Sequence, residues 1–242
     1  MDNHDTVIEV KDLVKKFGDF TANNHLTFQV KKGEIFGFLG ANGAGKTTAM
    51  RILCGLSAPS SGEVNVAGYD VYKNAENVKK SIGYMSQKFS LYEDLTVKEN
   101  FRFYGGIYGL SRKRIKKRTS ELLEKLDFSH AIDRKISDIP LGWKQKLAFS
   151  IAIIHEPRIV FLDEPTGGVD PITRRQFWEM IYETSFRGIT VFVTTHYMDE
   201  AEYCDRVTIM EKGVIEALDT PENLKNQYNA DTMDQVFVKI AR

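Results

Sequence analysis

The sequence predicts an α/β fold: a mainly parallel core sheet, an antiparallel β edge and an inserted helical sub-lobe. Three observations carry that reading. Short apolar, β-rich runs alternate with helical stretches, three of those runs are almost continuous hydrophobe, and residues 89–137 hold helical pattern with no clear strand. Strands covered on both faces lose the in–out alternation of a half-exposed sheet, so uninterrupted apolar runs point to a parallel core.

In chain order, "VIEV" (7–10) and "LTFQV" (26–30) come too close together for a helical crossover and are read as the antiparallel edge. The core strands are "EIFGFLG" (34–40), "RIVFLDE" (158–164) and "ITVFVTTH" (189–196), with helical patterns at 46–55, 143–155, 172–186 and 198–203. "RVTIMEKGVIEAL" reads as a hairpin turning at Lys212-Gly213. Inside the helical segment, "SRKRIKKRTSELLEKL" reads as a helix capped by Ser111, with apolar Ile115, Leu122, Leu123 and Leu126. Residues 1–242 are therefore expected to form a single domain, with a core lobe of about 1–88 and 138–242 and a sub-lobe of about 89–137.

Composition narrows the function. Lys plus Arg and Asp plus Glu each total 33, and the zero formal charge argues against a dedicated nucleic-acid binder, so no nucleic acid partner is expected. Cys54 and Cys204 form neither a metal-ligand spacing nor a disulfide framework, which suits a reducing cytosol. The acidic start "MDNHDTVIEV" lacks the apolar core of a signal peptide, and no apolar run approaches the roughly 20 residues that cross a bilayer. The expectation is a soluble chain that could still attach to a membrane through a partner.

Gly40-Ala41-Asn42-Gly43-Ala44-Gly45-Lys46-Thr47 fits the phosphate-loop pattern G-x-x-x-x-G-K-[ST], and Thr48 follows it. Glycines let successive N–H groups turn inward as an anion nest, and a helix N-terminus adds partial positive charge at the same place. Lys46 would supply a full charge to the β- and γ-phosphates of a nucleotide, and Thr47 a hydroxyl to Mg²⁺. Ligands bind beyond the carboxyl ends of parallel strands. Asp163 and Glu164 end one predicted core strand and His196 another, so all three are placed to meet the same triphosphate. Asp163 would hold Mg²⁺, Glu164 would polarise the attacking water, and His196 would hydrogen-bond the γ-phosphate.

With "GYMSQ" (83–87), "IVFLDEPTGGVDP" (159–171) and "VTTHYMDEAE" (193–202) added to the loop at 40–47, the sequence resembles the ATP-binding subunits of ABC transporters along nearly its whole length. The resemblance implies an ABC-type P-loop NTPase. It implies ATP hydrolysis at a boundary with a second ATPase subunit, in a homodimer or in a heterodimer with a partner of intact signature. It also implies an exporter-like system with a separately encoded transmembrane permease, and a place on the cytoplasmic face of the cell membrane. "MDQVFVKIAR" looks like the natural close of such subunits, so the chain is expected to be complete. By the same resemblance Gln87 would contact Mg²⁺ or the lytic water and join the nucleotide to the sub-lobe. Phe17 would stack on adenine, and Asp170 would cross the subunit boundary.

One segment departs from the family. Where its members usually carry Leu-Ser-Gly-Gly-Gln, whose serine and glycines hold the γ-phosphate bound to the opposite subunit, this chain has Ile139, Pro140, Leu141, Gly142 and Trp143. Pro140 offers neither hydroxyl nor N–H, and Leu141 adds bulk where glycine lets a phosphate approach. Proline in a first turn suits helix initiation. The expectation is an altered, weakened signature still at the dimer boundary, with Trp143 exchanging a polar grip for packing surface. Two other functions stand beside transport: a soluble ABC-type ATPase acting on ribosome or DNA, and a weakly catalytic nucleotide-binding regulator. The basic run Arg112–Arg118 reads as a solvated helix face, with anionic lipid or a permease loop as the alternative contact.

Overall fold

A computed structural model describes residues 5–87 and 91–240. The expected lobe boundary at 88/89, residues 1–4 of the acidic start and the last two residues of "MDQVFVKIAR" lie outside the described residues. The first half runs β1 (Thr6–Phe17), β2 (Phe20–Lys31), β3 (Ile35–Gly40), α1 (Lys46–Leu53), β4 (Ser61–Val66), β5 (Tyr69–Asp70), α2 (Ala75–Ser81) and β6 (Ile82–Met85). Then come α3 (Val97–Ile107), α4 (Arg112–Lys125), α5 (Leu141–Ala152), β7 (Ile159–Asp163), α6 (Pro171–Phe186) and β8 (Thr190–Thr195). The chain closes with β9 (Arg206–Glu211), β10 (Val214–Asp219), α7 (Pro221–Gln227) and α8 (Met233–Ile240).

Six strands form the core sheet in the order β10-β9-β3-β8-β7-β6, parallel throughout except for β10. Period-2 alternation divides its apolar residues between two cores. Phe36, Phe38, Phe161 and Phe192 face one side, where rings such as Phe38 and Phe192 meet at 5.1 Å. Ile35, Leu39, Leu162, Val191 and Val193 face the other, against Phe149 of α5 and Phe177 of α6. Both faces are covered, which is why β3, β7 and β8 read as unbroken hydrophobe.

The antiparallel edge forms a sheet of its own, ordered β2-β1-β4-β5. Its first two strands extend well past the runs at 7–10 and 26–30, because Lys11, Glu9 and Gln29 lie on faces that are not buried and so blur the pattern. β4 and β6 went unread: "SGEVNV" is half polar, and β6 is four residues long and contains Gly83. The stretch 198–203 is a 3₁₀ segment (Met198–Tyr203) and not an α-helix. α5 begins at Leu141, earlier than the expected 143, so Pro140 stands at its N-cap and not within the first turn. Its carbonyl accepts from Trp143 and Lys144 N–H, each at 3.0 Å.

Between α2 and α5 the described residues hold α3, α4, two short 3₁₀ turns and the four residues of β6. Thr96 and Glu99 form a reciprocal capping box on α3, and Ser111 caps α4 by accepting from Arg114 N–H at 3.3 Å.

Candidate nucleotide-binding site

The phosphate loop leaves β3 at Gly40 and enters α1 at Lys46. Gly45, the N-cap, has a φ of 100°, and a Cβ there would lie 2.4 Å from the Ala22 carbonyl oxygen, so no larger residue fits. β2 thus runs directly against the loop, and Asn23 Nδ2 donates to the Gly45 carbonyl at 3.1 Å. From the β9–β10 turn, the Gly213 N–H donates to the Ala44 carbonyl at 3.1 Å. Lys46 Nζ donates to the carbonyls of Gly40 (2.7 Å) and Ala41 (3.1 Å). Burial lowers the Lys46 pKa, with Glu164 and then Asp163 acting against that.

Asp163 closes β7 almost fully buried. Its Oδ1 accepts from Thr194 Oγ1 at 2.7 Å and Thr47 Oγ1 at 3.4 Å. Burial raises its pKa, and the neighbouring Glu164 charge pushes the same way against the hydroxyl donors and Lys46. The same carboxylate helps burial push the Tyr84 phenol up to about 12.

Glu164 adopts the left-handed region at φ 47°, a conformation costly for a residue with a Cβ. Its N–H is held by the carbonyl and hydroxyl of Thr194, both at 3.1 Å. On its carboxylate converge Gln87 Nε2, which donates at 2.8 Å, and Lys46 Nζ at 3.9 Å. His196 Nδ1 lies 3.2 Å away, an ion-pair distance without hydrogen-bond alignment, and that buried nitrogen has no other partner among the described residues.

A groove of about 430 Å³ joins these parts, lined by Phe20, Asn42, Gly43, Thr48, Gln87 and Glu164 among others. Phe20 therefore lies beside the phosphate loop, whereas Phe17, its partner across the β1–β2 turn, does not line the groove and has Lys15 Nζ 4.9 Å from its ring centre; both rings are exposed.

Mg²⁺ takes oxygen ligands and keeps several waters and phosphate oxygens. Thr47 and Asp163 bring a hydroxyl and a carboxylate oxygen to 3.4 Å of each other beside the phosphate loop. Among the described residues no group of three or more His, Cys, Asp or Glu is placed to hold a metal alone. The donor set fits an ion completed by ligand oxygens.

The remaining expected residues gather elsewhere, around the start of α5. Leu141 is exposed, and its Cδ2 lies 3.9 Å from where a Cβ on Gly168 would stand. Gly142 packs on α6: a Cβ there would meet Thr173 Cγ2 at 2.7 Å. Thr173 in turn donates its hydroxyl to Asp170 at 2.6 Å, and Asp170 caps α6 by accepting from the N–H groups of Ile172 and Thr173. The Thr173 bonds, side chain first, lower the Asp170 pKa. Trp143 differs from expectation: its ring stacks inside the chain on Phe128 at 4.3 Å, with Lys146 Nζ 4.5 Å from its centre. A tryptophan at this position finds an apolar neighbour in its own helical segment, so packing within the chain competes with any boundary role.

Sequence reasoning missed Phe20, Asn23, Thr194 and Gly213. The paired threonines of "VTTH" were a usable signal, since two hydroxyls at a buried strand end need acceptors.

A family profile described as ABC transporter matches residues 23–167. The chain is 48% identical over 241 residues to the probable multidrug ABC transporter ATP-binding protein YbhF of Escherichia coli (strain K12), covering 98% of this chain and 42% of that protein. It is 36% identical over 233 residues to the linearmycin resistance ATP-binding protein LnrL of Bacillus subtilis (strain 168), covering 96% of this chain and 75% of that one. A solved structure of an ATP-binding subunit of an ABC transporter matches with a TM-score of 0.89 at 29% identity, covering 98% of this chain and 100% of the other. The chain spans less than half, 42%, of the length of YbhF.

Proposed function

This chain belongs to the ABC transporter family, and from that premise we propose that it binds ATP, hydrolyses it at a boundary with a second ATPase subunit, and powers export through a separate membrane permease. The observation that carries the reading is the convergence of Gln87, His196 and Lys46 on the Glu164 carboxylate, beside the Asp163–Thr47 pair. The loop amides and Lys46 hold the phosphates. Glu164 orients a water and takes its proton as the water oxygen attacks the γ-phosphorus and the bond to the departing ADP oxygen breaks. His196 steadies the γ-phosphate, and Gln87 links the carboxylate to the helical segment. Mg²⁺, held by Thr47, Asp163 and Gln87, would offset the negative charge on the phosphate oxygens.

Adenine stacking belongs to the exposed hairpin aromatics, with Phe17 now joined by Phe20. Pro140, Leu141, Gly142 and Asp170 form the weakened face offered to the second subunit. In a homodimer both boundary sites would carry the weakness; a partner of intact signature would confine it to one. A groove of about 190 Å³ between Tyr84, Ser86, Tyr104, Ile107 and Ile151 supports a docked permease segment next to Gln87. Among the described residues no helix is long and apolar enough to cross a membrane, so a place on its cytoplasmic face rests on that docking. Export is favoured by relatives named for multidrug transport and linearmycin resistance.

The test is Glu164→Gln, read by phosphate release and by size-exclusion chromatography with ATP. We expect turnover to fall by about 10²–10⁴-fold with ATP binding kept and a dimer accumulating. Unchanged phosphate release would reject the role given to Glu164.

A further inference from the structure

α3 and α4 border a second feature that ATP chemistry leaves unused. They pack closely because Gly105 has no side chain; a Cβ there would lie 2.7 Å from Ile115 Cγ1. Beside that contact opens a groove of about 410 Å³, rimmed by Lys98, Arg102, Arg112 and Lys116, with Ile115, Ile132 and Thr119 among its lining. The cations on the two sides of α4 differ. In the neighbouring hollow, Arg114 pairs with Glu156 at 2.8 Å, Arg118 with Glu121 at 2.8 Å and Lys117 with Glu121 at 3.8 Å, and Lys113 alone of its cations meets no carboxylate among the described residues. On the groove side, Lys98 approaches Asp133 at 3.8 Å, while Arg102, Arg112 and Lys116 meet no carboxylate among the described residues. Ile115 and Ile132 give the groove an apolar floor between these cations.

We propose that this groove binds the head group of an anionic phospholipid. A phosphate ester among Arg102, Arg112 and Lys116 would meet the three unpaired charges. The isoleucine lining separates lipid from free phosphate, since glycerol carbons and the first methylenes of an acyl chain have apolar surface to cover there. Concavity matters as well: a groove of this volume seats a single small ligand, where an evenly charged helix would only lie against a surface. The site would hold the helical segment against the bilayer beside the permease, by contacts separate from the ATP site.

The purified full chain is floated with phosphatidylcholine vesicles with and without phosphatidylglycerol, at low and high salt. It should float with phosphatidylglycerol alone, and salt should release it. Arg102→Gln/Arg112→Gln/Lys116→Gln should weaken that partition about a hundredfold, taking roughly 1 kcal/mol for each cation near an anionic surface. Lys113→Gln/Arg114→Gln/Lys117→Gln, which removes as many charges from the other side of α4, should cost tenfold less. ATP binding by both variants reports that they are folded. Calorimetry with soluble short-chain phosphatidylglycerol, short-chain phosphatidylcholine and inorganic phosphate then identifies the ligand, with the first binding tightest. Equal losses from the two variants would reduce the effect to diffuse charge, and phosphate binding as well as the lipid would make this an anion site. Tighter calorimetric binding of polyglutamate than of short-chain phosphatidylglycerol would indicate an acidic peptide, and no flotation at all would leave no lipid site; each result overturns the proposal.

Discussion

Gln145 of α5 donates its side-chain amide to the Gly167 carbonyl at 3.1 Å, and the Gly167 N–H donates to the Glu164 carbonyl at 3.2 Å. α5 is thereby tied to the backbone of Glu164, the residue proposed to activate the water. Gln145→Leu keeps the volume and removes the donor. Stranding the Gly167 carbonyl costs about 1–3 kcal/mol, partly offset because the unpartnered Oε1 of Gln145 also disappears. Calorimetry should show a small loss of melting temperature, while phosphate release falls about tenfold or more as Glu164 shifts. Equal turnover in the two proteins would mean that the link does not position Glu164.

Asp163 sets a pH dependence with a definite sign. Its pKa is raised in the folded chain, chiefly by burial, so the fold prefers the protonated carboxyl. That preference stabilises fully below the unfolded value near 3.8 and is lost as pH rises through the folded pKa. Without nucleotide, Asp163→Asn should therefore melt higher than the parent at neutral pH, and the gap should close as pH falls toward the ordinary carboxylate value. Adding Mg²⁺ and ATP should stabilise the parent and do little for the variant. Thermal melts across pH, with and without ligand, check both statements.

Restoring the signature tests the weakened grip. Pro140→Ser with Leu141→Gly returns a hydroxyl and a slender backbone at the start of α5. Serine is a better N-cap than proline, and glycine inside the first turn costs about 1 kcal/mol, so stability should change little. One regained hydrogen bond to a charged group is worth about 1.5–3 kcal/mol, or roughly ten- to a hundredfold in ATP-dependent dimerisation. Analytical ultracentrifugation with ATP gives the answer, and an unmoved dimerisation constant would refute the weakness.

Glu200 is fully buried, receives the Thr166 hydroxyl and lies 3.7 Å from Arg174 Nε. Arg174 also rides over the Tyr197 ring at 4.5 Å, next to His196. Glu200→Ala should cost about 3 kcal/mol, since it strands the buried Thr166 hydroxyl and opens a cavity, although Arg174 keeps Asp199 at 3.5 Å. Glu200→Gln keeps the Thr166 acceptor and should cost clearly less. Denaturant titration of the two variants separates charge from shape.

What could be read from the sequence followed from how local each signal is. β3, β7 and β8 declared themselves because both faces of the core sheet are covered, Lys46 and Thr47 because they close a glycine-rich spacing, and Asp163, Glu164 and His196 because they sit at strand ends. β6 is too short to show a period, and the charged outer faces of β1 and β2 hid their true length. Phe20, Asn23 and Gly213 touch the phosphate loop only through the tertiary fold, and no spacing in the sequence reports that. The Trp143–Phe128 stack is of the same kind: fifteen positions separate the two rings, and only packing brings them together.

β3 pairs on one side with β8 and on the other with β9, and Gly213 steadies the loop that β3 feeds. The strand that leads into the phosphate loop is thus flanked entirely by segments made some 150 residues after it. During synthesis, the loop emerges from the ribosome with β2 beside it but long before β8, β9 and Gly213 exist to complete its bracing. ATP capture should therefore be one of the last properties a growing chain acquires, and a nascent polypeptide halted short of residue 213 would carry the complete motif yet lack a working cradle.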